Sequence, residues 1–557
     1  MLIKLTEENV SLIRNSPPRK NLRRPKRKAI ISSITITIVA ITIILFYGFN
    51  NNSSSSSSSF PKHPNKKNVI LFITDGMGPA SLSLTRSYRQ FIENLPINDT
   101  LTLDNHLIGS SRTRSSDSLI TDSAAGATAF SCILKTKNNA VGVNDQYEPC
   151  GTLLEAAKLD GLMTGLVVTT RITDATPAAF SAHSNSRFQE DLIALHQLGK
   201  HNNLGRVVDL MIGGGRSHFH GKDDGGVRID GRNLIDEAIN DGWNYIDDRE
   251  TFDSLQLGKN VSFPLLALLA ENDIPFDLDR NPEEYPSLQE QAITAVNALV
   301  EATKDSDKGF FLMIEGSRID HAGHENDPAA QVREVLAFDK AFQSVLELVD
   351  EMDTETIVLS TSDHETGGLV TARQVTKTYP EYVWYPLYLQ NAKHSGEFLK
   401  SKILSFEGTL DDKKLFIEKK ILQDILQIDD YNNDDVNALA EMNNLDDIQY
   451  KLNDMVSFRA QIGWTTHGHS AVDVNIYGYA NTKSSWYHIL DHLQGNHENL
   501  EIGEFIRQYL NLDLKDVTKR IKNVKTKLYD LEKIQEIEET DDEYHHLAHQ
   551  ILKAKQL

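Results

Sequence analysis

Asp320-His-Ala-Gly-His324 sets a carboxylate and an imidazole four residues apart. On a helix such a pair shares one face and can reach the same ion. Asp363-His364 follows directly after the apolar run ETIVLST, so an oxygen and a nitrogen ligand again leave one point of the chain. Thr466-His467-Gly-His469 adds two imidazoles in a glycine-containing turn, and Asp75 closes the run NVILFIT ahead of Gly-Met-Gly, which permits close backbone approach. Any one of these pairs is equally well explained as solvated surface. Taken together, oxygen and imidazole ligands at successive strand ends suffice for two zinc ions and a harder third cation. Thr-Asp122-Ser123-Ala-Ala-Gly-Ala-Thr-Ala suggests a different chemistry. A serine followed by small residues, in a stretch able to start a helix, offers a hydroxyl and backbone N–H groups to an anion. The bland reading is a tightly packed helix start. No histidine is spaced as a general base for Ser123, but a zinc ion can replace that base by stabilising the alkoxide.

Residues of this kind need a scaffold that brings them to one edge. From about residue 67 the chain alternates β-rich runs with longer amphipathic stretches, which predicts an α/β fold with a large, mostly parallel central sheet flanked by helices. Four runs are near-continuously apolar, as in strands buried on both faces: NVILFIT (68–74), TGLVVTT (164–170), GFFLMIE (309–315) and ETIVLST (355–361). Each is followed within a few residues by Asp, Glu, Thr or His, and open α/β sheets bind ligands beyond the carboxyl ends of their strands. Residues 395–455 read as an acidic, glycine-poor helical insertion over this core, with Asp429, Asp430, Asp434 and Asp435 near its centre. Residues 512–557 read as a charged C-terminal tail, with solvated helix, coiled coil and removable segment all open.

The chain has 557 residues, 40% apolar and 24% charged, with a formal charge of −22. Residues 1–28 hold nine Lys or Arg against Glu7 and Glu8, so a net +7 sits there and about −29 on the remainder. So acidic a body argues against a nucleic-acid partner. Residues 29–49 are uncharged and Ile-rich, and as a helix they span roughly 31 Å, close to the hydrocarbon thickness of a bilayer. With the basic flank on the cytosolic side, this predicts a single N-terminal transmembrane helix of type II orientation, with a lumenal body. A cleavable signal peptide is the rival, but its apolar region would be shorter and end in a small-residue cleavage site. The serine run that follows makes residues 50–66 a flexible stalk. The only cysteines, Cys132 and Cys150, would then lie where a disulfide persists; two buried thiols are the alternative. Sequons at Asn98 and Asn260 suit the same compartment.

Six ordered motifs resemble the alkaline phosphatase family. They are Asp75-Gly-Met-Gly, Asp122-Ser123-Ala-Ala-Gly-Ala-Thr-Ala, Asp174-Ala-Thr176-Pro with Arg187, Glu315-Gly-Ser-Arg-Ile-Asp320-His-Ala-Gly-His324, Asp363-His364-Glu-Thr-Gly-Gly, and Thr-His467-Gly-His. The resemblance spans a catalytic domain at 67–511, and the N-terminal anchor makes the fungal vacuolar members the most similar. It implies hydrolysis of small phosphomonoesters, a broad substrate range, a vacuolar membrane location and a homodimer. It further implies that Ser123 carries a phosphoserine intermediate, that Arg187 grips phosphate as a fork, and that Asp122 orients that arginine. Asp320, His324 and His467 would hold one zinc, and Asp75, Asp363 and His364 the second. Thr176 and Glu315, with Asp75 bridging and Asp174 alongside, would hold magnesium. His467 is preferred to His469 because its interval to Tyr477-Gly478 matches the family spacing. The pattern departs from the family in one respect: Asp174 is the bacterial choice, whereas His321 is the animal one, which bears on magnesium dependence. Sulfatases, phosphodiesterases and phosphoglycerate mutases share the sheet and part of the metal set, but Glu315, Thr176 and Arg187 together favour a monoesterase. A non-enzymatic relative would carry a broken ligand set, and none of these positions is broken.

Overall fold

The structure is a computed structural model that describes residues 66–528. The basic tail, the apolar span at 29–49, all but the last residue of the stalk, and residues 529–557 lie outside the described residues. Among the described residues no helix is long and apolar enough to cross a membrane.

The four apolar runs become four adjacent central strands: β1 (Lys67–Ile73), β3 (Met163–Arg171), β7 (Phe310–Glu315) and β8 (Glu355–Thr361). Six further strands complete a ten-stranded sheet. These are β2 (Leu107–Arg112), β4 (Leu210–Gly214), β5 (Asn244–Ile246), β6 (Leu265–Leu268), β11 (Val474–Ala480) and β12 (Gly495–Glu498). The order is β12-β2-β11-β8-β1-β7-β3-β4-β6-β5, and only β11 runs against its neighbours. Two short strands, β9 (Glu365–Thr366) and β10 (His469–Ser470), pair antiparallel beside the large sheet.

The register puts the chemistry at one edge. Ile73 lies opposite both Glu315 and Thr361, so Asp75, Glu315 and the pair Asp363-His364 emerge at one level. Apolar side chains on both faces hold these strands: Val69 to Ile73 and Phe310 to Ile314 are fully buried. Phe72 meets Phe338 and Phe342 of one covering helix edge-on, at 5.4 and 5.3 Å between ring centroids. Each such ring contributes about 1.5–3 kcal/mol by burial.

Six helices matter for the site: α1 (Ser123–Cys132), α2 (Ala175–Ser181), α3 (Arg318–His324), α4 (Pro328–Asp350), α5 (Leu445–Ala460) and α6 (Leu514–Ile521). The expected helical insertion is larger than its predicted bounds, with helices from Pro386 to Ala460. It carries its own apolar cluster, including Leu399, Ile421, Leu439 and Leu452, which also takes in Val332 of α4. Of the readings left open for the charged tail from 512, a solvated helix does not hold over the described part. Leu514, Val517 and Ile521, spaced three and four apart on α6, are buried in the main core, and Thr518 accepts a hydrogen bond from the Gly151 N–H.

Candidate metal centre and nucleophile

Ser123 is the first residue of α1, and Asp122 caps that helix by accepting the Ala125 N–H at 3.0 Å. The second Asp122 oxygen accepts from the Asn139 N–H at 2.8 Å. The small residues have a packing reason: a Cβ on Gly126 would lie 3.0 Å from the Asp363 Cβ, so a larger residue would press on the end of β8 where Asp363 sits. Gly76 is similarly constrained, with φ +75° and a hypothetical Cβ 2.6 Å from the Asp320 Cα.

Two groups of ligand atoms form beyond the strand ends. Those of Asp75, Asp363 and His364 lie within 4.8 Å of one another, as do those of Asp320, His364 and His469. His364 Nε2 sits 3.5 Å from Asp75 Oδ1, 3.2 Å from Asp363 Oδ2 and 3.1 Å from Ser123 Oγ. His324 Nε2 lies 3.2 Å from Asp320 Oδ2, as the four-residue spacing predicts. Thr366, unremarked in the sequence, donates its hydroxyl to Asp320 Oδ1.

The choice between the two turn histidines comes out the other way. His469, not His467, joins the cluster: its Nε2 is 3.1 Å from His324 Nε2 and 3.7 Å from Asp320 Oδ1, and its ring stacks on His364 at 3.5 Å. Pairing of β10 with β9 sets His469 opposite Thr366 and so against this edge. His467 precedes the strand and is exposed; its Nδ1 contacts the His324 carbonyl at 2.7 Å and its ring lies on Tyr450 at 3.8 Å. Interval matching could not separate the two residues, because the β9–β10 pairing has no local sequence signal.

The imidazoles show what the cluster fits. His469 Nδ1 donates to the Thr121 carbonyl at 2.7 Å, and His324 Nδ1 to the His467 carbonyl at 2.5 Å. Both rings therefore present Nε2 lone pairs, which face each other at 3.1 Å beside a carboxylate. Only a cation between them, a proton or a metal ion, makes that arrangement favourable. Asp75 Oδ1 and Asp363 Oδ2 are buried with only the His364 ring nitrogen near them and no ordinary hydrogen-bond donor, which again suits metal ligands.

Electrostatics agree. Burial, then the charges of Asp363, Asp320, Glu315 and Asp174, push the Asp75 carboxyl well above the usual range. Burial likewise pushes Glu315 up to about 8, helped by Asp174 and Asp363 and opposed by the Ser317 hydroxyl at 2.6 Å. Burial opposes ionisation of Asp320 too, but His324, His469 and His364 hold its carboxyl well below the usual range. Burial, with His364 and His324 alongside, drives His469 well below its ordinary value. So many carboxyls gathered out of water can be ionised together only with cations among them.

Arg187 reaches this edge from the segment after α2. Its Nη2 donates to Asp174 Oδ1 at 2.9 Å, and Nη1 is 3.7 Å from Asp122 Oδ2. Asp174 is thus the nearer orienting carboxylate. It also accepts the Ala175 N–H as the cap of α2 and lies 3.7 Å from Arg171, so the protein's own groups already engage it. His321 faces Asp273 at 3.4 Å. Cys132, at the end of α1, is disulfide-bonded to Cys150, with 5.9 Å between Cα atoms.

These features define a metal-dependent hydrolase of α/β architecture, and comparison with known proteins gives the family. The alkaline phosphatase family model matches residues 66–512, and the chain belongs to that family. It is 57% identical to the repressible alkaline phosphatase of Saccharomyces cerevisiae over 96% of each chain. It is 48% identical to an alkaline phosphatase of Schizosaccharomyces pombe, over 83% of this chain and 86% of that one. Among solved structures, a cold-active alkaline phosphatase from a Shewanella species superposes with TM-score 0.66 at 26% identity, covering 80% of this chain and 99% of its own.

Proposed function

We propose that this enzyme hydrolyses small phosphate monoesters through a phosphoserine on Ser123, at a centre holding two zinc ions and one magnesium ion. The observation that carries the reading is the placement of Ser123 Oγ 3.1 Å from His364 Nε2, at the edge where two bare imidazole nitrogens and unpartnered carboxylate oxygens converge. Asp320, His324 and His469 would hold one zinc, Asp75, Asp363 and His364 the other, and Asp75, Thr176 and Glu315 the magnesium. When bound, these ions supply Lewis-acid chemistry, favouring ionised oxygen nucleophiles at near-neutral to alkaline pH and stabilising a departing alkoxide. Ser123 attacks phosphorus in line as its hydroxyl proton passes to solvent, the ester oxygen leaves with its electron pair and is protonated from solvent to the alcohol, and water then breaks the phosphoserine P–O bond to return the serine hydroxyl and inorganic phosphate. The α1 N-terminus aims backbone N–H groups at the phosphate oxygens. Arg187, oriented by Asp174 and Asp122, supplies a bidentate clamp. We further propose anchoring by residues 29–49 with the body lumenal, in the vacuole, and a homodimeric assembly; the uncharged apolar span and its basic flank support the orientation.

Trapping labelled phosphate on the protein by acid quench, followed by peptide mapping, tests the nucleophile. Label is expected on Ser123 and absent from Ser123→Ala, which should keep its metal complement. Arg187→Ala should still be labelled but bind phosphate about 10- to 100-fold more weakly, the equivalent of about 1.5–3 kcal/mol for a charged fork. Undiminished labelling of Ser123→Ala would overturn the assignment.

A further inference from the structure

Helix α5 belongs to the insertion, and most of it behaves accordingly: Ile448, Leu452, Met455 and Val456 are buried in the insertion's own apolar cluster. One stripe does not fit that role. Gln449, Asn453 and Ser457, spaced four apart and hence on one face, are polar yet buried to 1%, 3% and 0% exposure. A buried polar stripe is costly unless its partners are specific. Gln449 accepts from Lys400 Nζ at 2.6 Å, while Asn453 and Ser457 bind the backbone just after the helix that carries Asp320 and His324. Asn453 Nδ2 donates to the Glu325 carbonyl at 2.9 Å, and Ser457 Oγ donates to the Asn326 carbonyl at 3.3 Å while accepting from Trp464 Nε1 at 3.1 Å. Gln449 lies against the buried Glu325 side chain. Tyr450, one residue off the stripe, covers the ring of His467, whose Nδ1 binds the His324 carbonyl and whose own carbonyl receives the His324 Nδ1 proton. Carbonyls at a helix C-terminus have no partner within the helix. Here consecutive carbonyls at 324, 325 and 326 are each met by a side chain from this part of the fold. The turn they close has Asn326 in the left-handed region, at φ 54°, so it has a defined shape to hold.

We propose that the polar stripe of α5 is a positioning device for the metal centre: Asn453 and Ser457 fix the end of α3, and with it the direction of the His324 imidazole. They touch no ligand atom themselves and are positioning residues. The inference rests on the reading of His324 as a zinc ligand. It gives the insertion a role in metal retention.

The test uses the full-length chain loaded with zinc and challenged with graded chelator, counting ions per chain by elemental analysis. Melting of the metal-free form is measured separately. Asn453→Leu/Ser457→Ala removes both donors while keeping the branched shape of the side chain at 453. One of two zinc ions should be held about 10- to 100-fold more weakly, as when outer-shell partners of a metal ligand are lost, while the other is unaffected. Ser457→Thr, which keeps the hydroxyl, should retain zinc as the parent does. Asp454→Ala, on the exposed face where Asp454 pairs with Arg373, should also match the parent. Should the double variant not fold, Ser457→Ala alone must show the same selective loss to a smaller extent. A lowered metal-free melting temperature with unchanged zinc retention would mean a purely structural stripe and overturn the proposal. An unsubstituted chain that takes up no zinc would overturn the reading of the site and this inference together, an outcome read from the parent protein alone.

Discussion

Replacing His469 and His467 by alanine, one at a time, asks which imidazole serves the centre. The His469 side chain is 9% exposed, and its Nε2 faces His324 Nε2 and Asp320 within 3.7 Å. His469→Ala deletes one of three candidate ligands to one ion. Loss of an outer-shell partner alone costs about 10- to 100-fold in metal affinity, so loss of the ligand should exceed about 100-fold. His467→Ala removes one hydrogen bond to the His324 carbonyl, about 1 kcal/mol, and a ring contact with Tyr450, about 0.5–1.5 kcal/mol. That is a stability change of about 2 kcal/mol, and it reaches the ion only through the aim of His324, whose Nδ1 still finds the backbone carbonyl of residue 467. Zinc affinity should fall about tenfold, the lower end for loss of an outer-shell contact and well short of the loss for His469→Ala. Both variants are equilibrated with graded chelator, bound zinc is counted, and hydrolysis of an aryl phosphate is followed at saturating zinc. His469→Ala should lose one ion and its activity, with His467→Ala close to the parent. The reverse ranking, or equal losses, would refute the geometry described for β9 and β10.

Two further outcomes follow from groups away from the centre. Removing the Cys132–Cys150 bond with Cys132→Ser/Cys150→Ser frees a loop of 18-residue separation, which should cost about 3 kcal/mol in urea unfolding; a double variant as stable as the parent contradicts this. Burial and the nearby Asp277 charge push Glu334 up to about 8 from an ordinary 4.5. Because the folded value is the higher, the contribution of Glu334 to stability is fully present below about pH 4.5 and is lost as pH rises to about 8. Glu334→Gln still accepts the Asp277 N–H and cannot ionise, so the loss of stability of the metal-free protein between pH 6 and pH 9 should shrink by up to a few kcal/mol. An unchanged pH slope would show that Glu334 is not its source.

What the sequence disclosed, and what it withheld, divides along the range of the interactions. The four apolar runs were legible because a strand buried on both faces needs consecutive apolar residues, and that requirement is local. Asp320 with His324, and Asp363 with His364, were legible as pairs for the same reason: one turn of helix or one strand end brings their side chains together. The partners of Arg187 were harder to read, since Asp174 and Asp122 come from two different helix caps and the sequence offers no means of ranking their distances. The choice of His469 over His467 depended on a two-residue strand pairing formed across a gap of about a hundred positions. The charged composition of 512–557 hid three apolar residues at helical spacing, enough to bury α6. Most instructive is the stripe on α5. Gln449, Asn453 and Ser457 look in the sequence like an ordinary polar helix face, the kind usually assigned to solvent. All three are buried, and Asn453 and Ser457 lie instead against the carbonyls behind His324; the identity of those partners is a property of the assembled fold alone. Ligand pairs close in sequence can therefore be read residue by residue, whereas a ligand brought in by a distant strand pairing, like the groups that aim the imidazoles, becomes visible only once distant segments have been packed.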